Sequence, residues 1–297
     1  MYNDKTFLEK FKSFSTFALI PLLVFFAVVG LPFIFGLLMT FTDWTGFGQT
    51  INFTGLQNYR VAFDDPEFWN SLRLTFKYVI YSVIITNLLA FSLALIVTSK
   101  IKAKNFFRAG FFTPNLIGGV ILGFIWQFVF SRILVHAGEF MQIPFLTESW
   151  LVDPNRAFWA LVIVGVWKNS GYMMLIYIAG LMGLPKSVME AAAIDGAGGL
   201  QKLLKIKLPL MIPSFTISLF LTLQRSFMVF DINISLTNGG PFKMTELITL
   251  HIYNDAFLSQ NFGSGQAKAF ILFVIVAVIA VSQVSIMKKW RLRHNER

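Results

Sequence analysis

The residues able to do chemistry in this chain are few and scattered. There is no cysteine in 297 residues, which removes disulfides and thiolate metal sites. The histidines, His136, His251 and His294, stand too far apart for a His-x-x-x-His ligand pair, so no metal site is expected. Asp231, Glu246 and Asp255 form no recognisable acid–base cluster, and no catalytic residue is assigned. No G-x-x-x-x-G-K-[ST] occurs to cradle nucleotide phosphates, and GAGGLQ, Gly196–Gln201, misses the dinucleotide fingerprint.

What remains is two cations inside apolar runs, Lys168 and Arg225. Such residues are costly in lipid and are functional candidates by default. Arg225 could donate hydrogen bonds to hydroxyls or to an anionic group, with Thr222, Ser226 and Val229 on its helical face and Gln224 on the adjacent one. It could equally fasten helices together. Asn169 and Tyr172, beside Trp167, combine hydrogen-bonding groups with ring faces suited to a sugar, although packing roles fit them too. Trp126 and Gln127 are weaker candidates, Lys168 suits an aqueous gap between helices, and Met173 and Met174 read as packing.

The elements that must position these groups are membrane helices. The chain is 56% hydrophobic and 13% charged, with 34 Phe, leaving too few polar groups to cover a soluble globule. Its net charge of +10 would suggest nucleic acid only in a soluble domain, so no nucleic acid partner is expected. About 20 apolar helical residues cross a bilayer. Ser13–Thr42, Tyr78–Ser99, Ala109–Ser131 and Ala269–Met287 are free of charge, and Ala157–Pro185 and Leu208–Phe230 are each broken by one cation. The expected fold is therefore all-α, with six transmembrane helices in one domain over 1–297, a first span at about 13–42 and core spans over about 78–287.

Lys and Arg set the direction. With the amino terminus inside, segments 1–12, 100–108, 186–207 and 288–297 hold 16 basic and 5 acidic residues, and the remainder holds 9 and 10. Both termini are therefore expected in the cytoplasm. The first uncharged run is longer than a signal peptide's apolar core and no small-x-small site follows it, so it is expected to remain. The segments about Asp43–Lys77, Arg132–Arg156 and Asp231–Lys268 become outer loops.

Between the fourth and fifth spans lies LPKSVMEAAAIDGAGGLQKLLKIKLPLMIP, Leu184–Pro213. Pro185 suits a helix's first turn, the next residues are good helix formers, and Gly196, Gly198 and Gly199 allow a reversal. A second helix from about Leu200 would put Leu200, Leu203 and Leu204 opposite Gln201, Lys202 and Lys205. A hairpin lying flat on anionic lipid would explain this composition as well.

The spacing of Glu190-Ala191-Ala192, Gly196, Ile206 and Leu208-Pro209 resembles the EAA signature of permease subunits in ATP-driven importers. WKNSGYMMLIYIAGL (Trp167–Leu181), IDGAG, VFDINISLTNGGP (Val229–Pro241) and IYNDAF (Ile252–Phe257) are similar to the carbohydrate-importer permeases of the maltose and glycerol-phosphate type, and FFTPNLIGG (Phe111–Gly119) more weakly so. The Thr-Asn-Gly-Gly-Pro stretch is similar to the first of the two permeases in such systems.

That resemblance implies a coupling loop at about 184–209, in which Glu190, Ala191, Ala192, Asp195, Gly196, Ala197, Ile206, Leu208 and Pro209 meet a cytoplasmic ATPase. It implies a second homologous permease, two ABC ATPase subunits that bind ATP and Mg, and an extracytoplasmic solute-binding protein. It implies that the solute is a sugar, an oligosaccharide or related solute, and that the chain sits in the cytoplasmic membrane of a prokaryote. It places substrate contacts in the fourth and fifth spans. The alternative classes are an integral-membrane lipid-modifying enzyme, for which the acid–base cluster is missing, and a passive channel, for which a filter motif is missing.

Overall fold

The structure is a computed structural model that describes residues 11, 12, 14–46, 51–99 and 102–295, the side chains of 291–295 excepted. Ser13 and much of the basic amino and carboxy termini counted above lie outside the described residues. The chain divides into two compact units, Met1–Asp65 with Ile252–Ile271 and Pro66–His251 with Leu272–Arg297. Among the described residues there are helices and a single isolated bridge, Thr42 to Phe53, but no strand.

In the first unit, α1 (Ser15–Met39) is an apolar helix whose most hydrophobic window has no buried residue. Pro21 and Pro32 each sit in the first turn after a widened stretch, Ser15–Leu19 and Phe26–Gly30, where the ladder accommodates the missing N–H. A short helix, α2 (Gln57–Asp64), is tied back by the Asn58 amide, which donates to the Thr40 and Thr42 carbonyls at 2.9 and 2.8 Å. Lys268, only 3% exposed, is held by Asp65 at 2.6 Å and Asp255 at 2.8 Å. A buried ammonium persists where carboxylates take its charge.

The second unit carries the next spans and the last one from Leu272 onward. Its centre is α3 (Pro66–Thr98) packed along α6 (Pro154–Met182), with α4 (Lys104–Leu116) laid on α6. The third long helix, α5 (Gly119–Met141), corrects the expected span Ala109–Ser131. Ile117 is extended and Gly118 has ψ 137, so the apolar run contains a chain break that hydropathy cannot detect. The second span begins at Pro66 because Phe68, Ser71, Leu72 and Thr75 give its polar first turns a buried face.

After α6 come α7 (Lys186–Ile194), α8 (Gly199–Leu210) and α9 (Ile212–Phe227). Pro185 caps α7 rather than entering its first turn. Helices α8 and α9 meet at a 69° bend at Met211, flanked by Pro209 and Pro213, which cannot donate to the ladder. Among the described residues five helices are long and apolar enough to cross a membrane, and six if α8 and α9 form one span.

The expected outer loop Asp231–Lys268 is structured, with α10 (Asp231–Leu236) and α11 (Ile248–Tyr253) inside it. The Asn233 side chain braces it, donating to the Thr245 carbonyl at 2.8 Å and accepting from the Leu247 N–H at 3.0 Å. The last helix is α12 (Phe262–Asn295). Residues Leu200 and Leu204 of α8 are exposed and Leu203 is half-buried, so the expected apolar face of that helix is not covered within the chain.

Candidate functional site

Arg225, in the last turn of α9, is where three elements of the second unit converge. Its Nη1 donates to Asn115 Oδ1 at 2.9 Å and to Asn169 Oδ1 at 3.2 Å, and its guanidinium lies 4.3 Å from the Tyr172 ring centroid. Asn115 ends α4, and Asn169 and Tyr172 lie one turn apart on α6. Asn169 is oriented by its own amide, which donates to the Gly165 carbonyl at 2.9 Å. Each acceptor is neutral, so the cation is solvated without being neutralised. Charge-assisted hydrogen bonds and a ring face replace the water that apolar surroundings remove.

The arrangement depends on the close approach of α4 to α6. A side-chain carbon at Gly171 would stand 1.9 Å from the Phe111 carbonyl oxygen, so only glycine lets the two backbones touch there. Asn115 is one turn beyond Phe111 and is carried to Arg225 by that contact.

Around Arg225 opens a half-enclosed cleft of about 270 Å³, which Lys168, Asn169, Gln224, Val229 and Asp231 help to line. It therefore offers two cations, a carboxylate, two side-chain amides and an aromatic face close by. Such a surface can donate and accept hydrogen bonds around a polyhydroxylated solute.

The structure divides the face predicted around Arg225. Thr222 and Ser226 are buried, and Thr222 belongs to a second polar cluster centred on Asn87 of α3. There Tyr177 and Ser218 donate to Asn87 Oδ1 at 2.7 and 2.6 Å, and Asn87 Nδ2 donates to Thr222 at 3.3 Å. The cluster joins α3, α6 and α9 with its hydrogen bonds internal. Val229 lies beyond the end of α9 and, with Gln224, borders the cleft. Trp126 and Trp167 stack edge-on at 5.4 Å, Gln127 is exposed, and Met173 and Met174 are fully buried in the core.

Asn115 and Asn87 were missed. Each is a polar side chain within an apolar helix, which was the available signal, but a neutral amide interrupts hydropathy far less than a charge.

At the other end of α6, Gly196 has φ +72. Ala197 N–H returns to the Ala192 carbonyl at 3.0 Å and Gly196 N–H to the Ala193 carbonyl at 3.2 Å, the Schellman closure of α7. Glu190, Ala191, Asp195 and Gly196 are exposed, Ala192 is buried, and Ala197, Ile206, Leu208 and Pro209 are half-buried. A side-chain carbon added at Gly196 would meet nothing within 4 Å, so the turn presents a bare outer surface.

Residues 72–292 match the family of binding-protein-dependent transport system inner membrane components. This chain belongs to that family. It is a permease, and the lipid-modifying enzyme considered above is set aside. It is 47% identical, over 90% of its length and 91% of the relative's, to a probable starch degradation products transport system permease protein of Thermoanaerobacterium thermosulfurigenes. It is 32% identical, over 93% and 96%, to a multiple sugar-binding transport system permease protein of Streptococcus mutans. In fold it is similar to a chain of a bacterial ABC transporter that imports the acidic polysaccharide alginate, with a TM-score of 0.79, 18% identity and coverage of 94% and 96%. Among the described residues no group of His, Cys, Asp or Glu is arranged to hold a metal ion.

Proposed function

We propose that this permease forms the translocation path for a sugar, an oligosaccharide or related solute, in an ATP-driven importer of a prokaryotic cytoplasmic membrane. The observation that carries this reading is the Arg225 cleft, where neutral amides and a tyrosine face hold the guanidinium beside a second cation and a carboxylate. Hydroxyls can accept from Arg225, whose guanidinium Tyr172 holds against its ring. The 47% identity to a permease named for starch degradation products supports an α-glucan oligosaccharide as the solute.

In this reading 1–297 is one permease domain with both termini cytoplasmic, paired with a second homologous permease. Two ABC ATPase subunits bind ATP and Mg, and an extracytoplasmic binding protein delivers the sugar. The segment at about 184–209 is the coupling loop, in which the exposed Glu190 face of α7 and the open turn at Gly196 meet the ATPase. Because α8 bends into α9, a displacement of the loop is passed to the helix that carries Arg225.

The test is uptake of labelled malto-oligosaccharide by the assembled transporter carrying Arg225→Ala or Tyr172→Ala. Both should reduce uptake or shift selectivity with subunit assembly intact. Unchanged transport and preference in both would move the path elsewhere, and loss of assembly would make Arg225 a fastener of helices.

A further inference from the structure

An apolar groove of about 440 Å³ lies in the second unit, between the bent α8–α9 segment and the end of α12. Leu204, Leu208, Pro209, Phe215, Met287 and Trp290 line it, with no charged side chain among the described residues of its walls. The Gln283 amide, which donates to the Thr216 carbonyl at 3.4 Å, links the two helices further along. We infer that this groove holds one acyl chain of an anionic glycerophospholipid, with its phosphate among Lys205, Lys207, Lys288 and Lys289.

Three observations single out this occupant. First, the groove adjoins a helix that this chain leaves largely uncovered, since the most hydrophobic window of α12 is only 6% buried. Second, each wall carries a lysine pair beside its lining residues: Lys205 and Lys207 between Leu204 and Leu208, and Lys288 and Lys289 between Met287 and Trp290. None of the four makes an ion pair among the described residues, and Lys205, Lys288 and Lys289 are exposed. An apolar slot flanked by cations matches a lipid that is apolar at one end and anionic at the other. Third, Trp290 is 55% exposed at the rim, where an indole suits the boundary between acyl chain and headgroup. This inference needs the helices to lie in a membrane but does not depend on the solute carried.

The groove would give the bend a lipid-dependent stiffness. A chain seated against Leu208, Pro209 and Phe215 occupies space on both sides of Met211, where the 69° angle is made. An empty groove leaves α8 freer to swing against α9.

Trp290 supplies the probe. The full chain is placed in vesicles of equal phosphatidylglycerol and phosphatidylcholine, with one or the other brominated in its acyl chains. The fluorescence lost in Trp290→Phe isolates that indole from the other tryptophans. Brominated phosphatidylglycerol should quench this component with an apparent affinity at least about fivefold above that of brominated phosphatidylcholine, the factor one lysine gives at an anionic surface. Gln at all four lysines should bring the ratio to one, and Leu204→Glu at the exposed rim should invert it. Equal quenching by the two lipids in the parent chain, or a preference surviving the four substitutions, would overturn the inference. So would absence of quenching by either, which would mean that protein, such as a second permease or the amino-terminal segment, fills the groove.

Discussion

Replacing Gly171 by alanine is the smallest change that should dismantle the Arg225 cluster without touching it. The added carbon would lie 1.9 Å from the Phe111 carbonyl oxygen, 2.6 Å from its carbon and 2.9 Å from Phe112 Cα. All three are backbone atoms, so no rotamer change relieves the contact. Helix α4 must retreat by about 1.1 Å to reach the 3.0 Å below which such contacts essentially do not occur. Carried one turn along α4, that retreat lengthens the 2.9 Å Arg225–Asn115 bond to about 4 Å, outside hydrogen-bonding range. Overpacking of this kind costs about 1–3 kcal/mol. Losing a bond to a charged group adds about 1.5–3 kcal/mol where the partner stays dry. A loss of about 1.4 kcal/mol at the transport step is tenfold in rate. Uptake by the assembled transporter should therefore fall at least about tenfold, with a lowered melting temperature. Gly110→Ala is the control, because it lies in α4 where an added carbon meets nothing within 4 Å. It should be neutral or stabilising by up to about 1 kcal/mol. If Gly171→Ala matched Gly110→Ala in uptake and melting, the reasoning that links helix contact to Arg225 would fail.

Gly196→Val should insert and fold yet retain less ATPase on co-purification, since φ +72 strains a β-branched residue by about 1 kcal/mol or more and the side chain projects from a bare surface. Glu190→Lys should weaken the same association, and full ATPase retention in both variants would favour the lipid-surface hairpin. Tyr177→Phe should cost about 0.5–1.5 kcal/mol in thermal unfolding by removing one donor from Asn87, and Asn87→Leu more, because it strands the Tyr177 and Ser218 hydroxyls together while Thr222 keeps its bond to the Ser218 carbonyl. Equal melting temperatures would remove the cluster's structural role. Lys268→Met should destabilise by about 3–5 kcal/mol by leaving Asp65 and Asp255 without their shared cation, a loss readable as reduced yield and melting temperature.

The apolar runs were readable because the penalty for charge in lipid is large and one-dimensional. Their ends were not. Pro114, Gly118 and Gly119 are ordinary enough in a membrane helix that the break before α5 leaves no mark in hydropathy, and the polar residues of Pro66–Lys77 hid the start of α3. Arg225 stood out by its charge, whereas its partner Asn115 is 110 residues away and neutral, so nothing local announced the pair. A helical wheel puts Thr222 and Ser226 on one stripe with Arg225. It could not say that α3 covers part of that stripe and leaves the remainder facing a cleft, which is a matter of tertiary packing. The turn at Gly196 is local chemistry, a helix of good formers stopped by glycine, and its left-handed φ follows from that.

The most direct test of the central claim is ATP-driven accumulation of labelled malto-oligosaccharide in sealed vesicles, reconstituted with this permease, its partner permease, the ATPase and the binding protein, then with each omitted in turn. The account predicts uptake against a gradient only from the full set, and none without this chain. Accumulation by this chain alone, or undiminished accumulation in its absence, would contradict it.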